Sequence, residues 1–84
     1  MDKHIIVGIH VVDRNAHAVT VQRLLTEYGC QIKTRIGLHD VHENYCSPNG
    51  LILLEMLDTP ETCKLVDAIQ DVEGVDVQTM TFSH

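Results

Sequence analysis

Aromatic side chains are scarce in this chain: 84 residues hold no Trp, two Tyr and one Phe. A surface that stacks bases or sugar rings needs several such rings, and Tyr28, Tyr45 and Phe82 give little to build one with. Positive charge is equally thin. Six Lys and Arg stand against twelve Asp and Glu, and the net charge of −6 repels a phosphate backbone, so no direct binding of nucleic acid is expected. The cysteines Cys30, Cys46 and Cys63 are odd in number and irregularly spaced, which argues against a disulfide framework and for reduced thiols. Cys30 and Cys63 read as core or near-core thiols. No apolar run approaches the ~18 residues of a membrane span. The start Met1-Asp2-Lys3-His4 runs straight into Ile5-Ile6-Val7 with no basic n-region or small-residue cleavage site, so a cytoplasmic protein without a membrane partner is expected. Length then bounds the organisation: 84 residues make one domain, 1–84, and not two.

What the chain does have is clear periodicity. From His4 to Val12, Ile5, Val7, Ile9 and Val11 alternate with His4, Ile6, Gly8 and His10, the period of a strand. Asp13 is a candidate cap for a helix in which Ala18, Val21, Leu24, Leu25 and Tyr28 recur at spacings of three and four before Gly29 stops it. Ile32, Thr34, Ile36 and Leu38 then alternate with Lys33, Arg35, Gly37 and His39 as a second strand. Asp40 to Asn49 is polar and turn-rich and reads as a loop. Leu51 to Leu57 is a third strand. Thr59 as N-cap and Pro60 at the first helical position open a second helix, with Leu65, Ala68, Ile69 and Val72 as its stripe and Gly74 near its end. Val75 to Phe82 alternates again as the last strand.

The order βαββαβ with right-handed crossovers predicts an α+β, ferredoxin-like sandwich. Its antiparallel sheet runs 4-1-3-2, with both helices on one face. If Ile5, Val7, Ile9, Ile52, Leu54 and Met56 meet the helices, then Ile6, His10, Leu51, Leu53, Glu55, Lys33, Arg35, Met80 and Phe82 fall on the open face. That face is too apolar for a monomer, which predicts burial in a homo-oligomer, dimer or tetramer, through Ile6, His10, Leu51, Leu53, Met80 and Phe82.

Several occupants of this fold fail on their residues. A base-stacking domain needs aromatics where the chain has Ile6, Gly8, His10, Leu51 and Leu53. A phosphate-cradling loop after the first strand needs glycine, and Val12-Asp13-Arg14-Asn15-Ala16 has none. A soft-metal chaperone needs two thiolates in that loop, and no cysteine precedes Cys30. The acidic residues are scattered, with Asp67, Asp71 and Glu73 on a solvated helix face. Cys46 near His39 and His42 lacks a third, orienting group, so no catalytic residues are expected and the chain does not read as an enzyme. His17 reads as a helix-surface residue. One cluster has metal-ligand character: His39-x-x-His42-x-x-x-Cys46 supplies imidazole and thiolate suited to Zn, Ni, Cu or Fe, with a fourth position for water, Glu43 or a neighbouring subunit.

The segment Val12-Asp13-Arg14-Asn15-Ala16, followed by Leu24-Leu25-Thr26-Glu27-Tyr28-Gly29-Cys30-Gln31-Ile32, resembles the opening of ACT regulatory domains, small-molecule sensors of this topology. Amino-acid-binding ACT domains open the first helix on a glycine where this chain has Ala16. Over nearly the whole length, Arg35-Ile36-Gly37, the polar loop with Glu43-Asn44, the apolar strand Leu51 to Leu57, and Glu73-Gly74-Val75 with Val77 resemble the ACT-like iron-only hydrogenase system regulators. These are related in fold to the ligand-binding part of nickel-responsive regulators, which bind metal through histidines and a cysteine shared between subunits. His39, His42 and Cys46 are similar to those in kind but not in spacing. The resemblance implies a small oligomeric regulatory protein that acts through an unidentified small ligand or a partner protein. A transition-metal sensor and a purely structural oligomerisation module are the alternatives.

Overall fold

The computed structural model describes residues 3–12, 14–42 and 45–83, with the side chains of 14–16, 18 and 38–49 also outside the described part. The elements are β1 (Lys3–Val11), α1 (Arg14–Glu27), a 3-10 turn (Gly29–Gln31), β2 (Ile32–His42), β3 (Tyr45–Met56), α2 (Pro60–Gln70) and β4 (Val75–Ser83). The four strands form one antiparallel sheet in the order β2-β3-β1-β4, the predicted order read from its other edge. The alternation that marked the strands also decides what is buried. Ile5, Val7, Ile9 and Val11 of β1 and Leu54 and Met56 of β3 meet Val21 and Leu25 of α1 and Leu65 and Ile69 of α2 in the core. Leu24, Tyr28 and Ile52 pack partly against it. The proposed cap Asp13 lies outside the described residues.

The strongest local signal, Thr59-Pro60, holds as a helix start. Thr59 Oγ1 accepts from the Thr62 amide at 3.4 Å and donates to Gln31 Oε1 at 2.7 Å. Thr62 Oγ1 donates to the Leu57 carbonyl at 2.6 Å, and the Leu57 amide donates to the Gln31 carbonyl at 2.8 Å. The cap therefore ties the start of α2 to the 3-10 turn that follows α1. Thr59→Ala should cost about 1–2 kcal/mol, the upper range of a lost N-cap. The check is a lower urea midpoint with unchanged slope.

Four sequence readings need correction. The described residues of the expected Asp40 to Asn49 loop are strand: β2 continues to His42 and β3 begins at Tyr45, with Val41 opposite Cys46 and His42 opposite Tyr45. Pro48 is compatible with that strand because β1 ends at Val11 opposite Gly50, so β3 there has only β2 beside it, and the β2–β3 register shifts between His39 and Val41. A residue without an N–H is tolerated at such a site. Cys30 and Cys63 are exposed, because Cys30 lies in the 3-10 turn and Cys63 follows buried Thr62 toward the solvent side of α2. His17 is half-buried, its ring lying against Gly74.

The fourth correction concerns β2, whose register slips by one between Ile32 and Thr34. Beyond the bulge Arg35 stands opposite core residue Leu54 and Ile36 opposite Leu53. Arg35 is thereby on the helix side, where its guanidinium donates to Gln22 Oε1 of α1. Ile36 takes its place on the open face.

Candidate functional site

The register builds the open face row by row. Met80, Ile6, Glu55 and Thr34 face one another across β4, β1, β3 and β2. The next row is Gln78, Gly8, Leu53 and Ile36, and beyond it Asp76, His10 and Leu51 align. Phe82 stands beside His4 at the other end. Ile36, Met80 and Phe82 are each about half exposed, at 51%, 56% and 52%, and Leu51 is exposed at 36%. Ile6, His10 and Leu53 are intermediate, sheltered by their neighbours in the sheet.

The six residues expected at an oligomer interface, Ile6, His10, Leu51, Leu53, Met80 and Phe82, therefore share one face. Sequence reasoning missed Ile36, since an unbroken alternation puts it inside. It also put Arg35 there wrongly, whereas Lys33 does reach this face. Glu55 Oε2 lies 3.2 Å from His4 Nδ1 and 3.8 Å from Lys33 Nζ. This group is partly solvated, so each pair contributes at most about 1 kcal/mol. Its chief effect is to offset the Glu55 carboxylate, which stands beside Ile6 on the open face.

Gly8 leaves a gap in the middle of the face. Together with His10, Leu51, Asp76 and Gln78 it lines a shallow hollow of about 240 Å³. A second cleft, about 420 Å³, lies at the sheet end between Lys3, His4, Lys33 and the Asp58-Thr59 start of α2. It gathers two of the chain's six Lys and Arg residues.

The backbone of His39, His42 and Cys46 belongs to the paired ends of β2 and β3; their side chains, and Glu43, lie outside the described residues. Among the described residues no group of three or more His, Cys, Asp or Glu is placed to hold a metal ion. Among them, too, no helix is long and apolar enough to cross a membrane.

No protein-family model matches the chain, and no curated protein is detectably similar to it. Solved structures are. The uncharacterized protein TM1266 of Thermotoga maritima is 26% identical, with 98% of this chain and 100% of that chain covered and a TM-score of 0.81. CPII of Thiomonas intermedia K12, a nitrogen regulatory PII-like protein bound to ADP, AMP and bicarbonate, is 17% identical, with 99% and 96% covered and a TM-score of 0.56. A dimeric ferredoxin-like protein from an uncultured marine organism is 12% identical, with 95% and 92% covered and a TM-score of 0.55. The fold is thus the ferredoxin-like, ACT-like one expected from the order of strands and helices.

Proposed function

We propose that this chain is a small regulatory protein, not an enzyme, that works as a homo-oligomer assembled through its open sheet face and responds to a small ligand. The observation that carries the proposal is the exposed set Ile36, Leu51, Met80 and Phe82 on the sheet face opposite the one that packs the core against the helices. A patch of this kind favours association when desolvated, at about 25 cal/mol per Å². The likeness to a PII-like regulator bound to nucleotides and to a dimeric ferredoxin-like protein supports the same reading. Sedimentation velocity at micromolar concentration should show an oligomer, and a monomer there would remove the basis of the proposal. Adenine nucleotides are the first ligand probes. Binding to the folded state raises its melting temperature by mass action, so ADP or AMP in excess should do so if this chain shares that ligand class.

The finer reading, a regulator of the iron-only hydrogenase system, is supported by the Arg35-Ile36-Gly37 and Glu73-Gly74-Val75 resemblances. Deleting the gene in a host that makes that hydrogenase should change hydrogenase activity or transcript level. At a net charge of −6 the output passes through a partner protein and not through direct contact with duplex DNA.

A second reading, a transition-metal sensor, rests on the ligand types and sequence proximity of His39, His42 and Cys46, whose backbone lies in the paired ends of β2 and β3. Titration calorimetry with Zn and Ni should then show binding that His39→Ala, His42→Ala and Cys46→Ser together abolish. Affinity should fall from pH about 7.5 to about 5.5, because imidazole and thiolate ligands must lose protons to bind. Equal, weak binding by wild type and the triple variant would end this reading.

A further inference from the structure

The two edges of the sheet are built differently. The β2 edge has an extra residue between Ile32 and Thr34 and carries Lys33 and Arg35, and its register with β3 shifts again between His39 and Val41, where the extra residues are on β3. Bulges and long cations are the ordinary means by which a free edge is kept from pairing. The β4 edge has neither. Its nine residues, Val75–Ser83, pair with β1 in unbroken register from Val11↔Val75 to Lys3↔Ser83. They include no Pro, no Gly and no Lys, and one charge, Asp76. Thr79, Met80, Thr81 and Phe82 are all exposed, and among the described residues no strand pairs with the outer side.

We infer that the outer edge of β4 pairs antiparallel with the same edge of a second copy, joining two four-stranded sheets into one of eight. This rests on the homo-oligomeric reading above and adds a strand edge to the face named there. A second copy is the occupant that the strand's own features favour. In an antiparallel pair about a two-fold axis near Thr79, the middle of the strand, Asp76 of each copy lies toward the far end of the other, so no like charges meet. Like-with-like pairing also closes: it uses both undefended edges and leaves the bulged, cationic β2 edges outside, where an open-ended β4-to-β2 array is opposed. Edge pairing would in addition set the Met80 residues of the two copies diagonally across the axis, with Gln78 opposite Met80 and Asp76 opposite Phe82, and join the two open faces into one.

The test is amide hydrogen exchange with sedimentation on the full chain. In wild type at a concentration where the oligomer forms, the alternate amides of β4 that point away from β1 should exchange about 100-fold or more slowly than after dilution to monomer. Exposed β2 amides should show no such dependence. Thr79→Lys/Thr81→Lys puts the missing cations on this edge at two exposed positions and should abolish the β4 protection, while chemical denaturation verifies that the variant is folded. An oligomeric wild type whose outward β4 amides exchange equally fast at all concentrations overturns the edge and leaves the face reading standing. Unchanged protection in the double-lysine variant also overturns it. A monomer at every concentration overturns both.

Discussion

Gly74→Ala should destabilise the protein by about 2–4 kcal/mol, although the residue lies in a turn and the change adds one carbon. Two separate costs meet at this position. Gly74 has φ of +79°, a conformation that costs a residue with a Cβ about 1–2 kcal/mol. A Cβ built there would also lie 2.6 Å from Cδ2 and Nε2 of the His17 ring, and making room in a packed contact typically costs about 1–3 kcal/mol. The turn is coupled to the rest of the fold, because the Gly74 carbonyl accepts from the Val12 amide at 2.8 Å, joining the end of β1 to the start of β4. The two costs can be separated. His17→Ala in the same chain removes the obstructing ring, so the double variant should recover about 1 kcal/mol or more relative to the sum of the single changes, while the backbone cost stays. A Gly74→Ala protein within about 0.5 kcal/mol of wild type in urea unfolding would show that neither contact matters as described.

Much of this fold was legible because strand alternation, the Thr59-Pro60 start and the helix stripes all agree, and agreement between levels is what specifies a fold. The misreadings occurred where the sequence pattern is degenerate. In β2, Ile32 faces the core and Ile36 the open face, and since both are apolar no polarity change marks the bulge between them. Arg35 gave a hint, because a long cation on the helix side can reach a polar side chain of α1, here Gln22. Pro48, Asn49 and Gly50 read as punctuation because turns and ribbon ends draw on the same residues. Whether a strand continues through them depends on which neighbour it still has, and that is a property of the whole sheet. His17 illustrates the same limit: its role is set by Gly74, far along the chain, and no local period reports it. For the open face, alternation identified Ile6, His10, Leu51, Leu53, Met80 and Phe82, while the exposure of Leu51, Met80 and Phe82 reflects that no element among the described residues covers that side.

Leu53→Glu should weaken self-association by about 10²- to 10⁴-fold, roughly 3–5 kcal/mol, while leaving the monomer folded. Leu53 lies between Gly8 and Ile36 in the middle row of the open face, with its Cδ2 3.7 Å from where a Gly8 Cβ would sit. Covering one large apolar side chain contributes about 1.5–3 kcal/mol, and a carboxylate in its place must instead be desolvated without a partner. The nearby cation cannot neutralise it at no cost, because Lys33 already serves Glu55, two residues along the same face. The neighbouring residue supplies the control. Leu54 points the other way, is 1% exposed and packs in the core, so Leu54→Ala should cost about 2–5 kcal/mol of folding stability. Adjacent positions should therefore separate the two properties by face, Leu53 acting on assembly and Leu54 on folding, with sedimentation reading the first and urea unfolding at fixed concentration the second. If Leu53→Glu stays as oligomeric as wild type, the open face is not where copies meet, and its apolar row must serve some other contact.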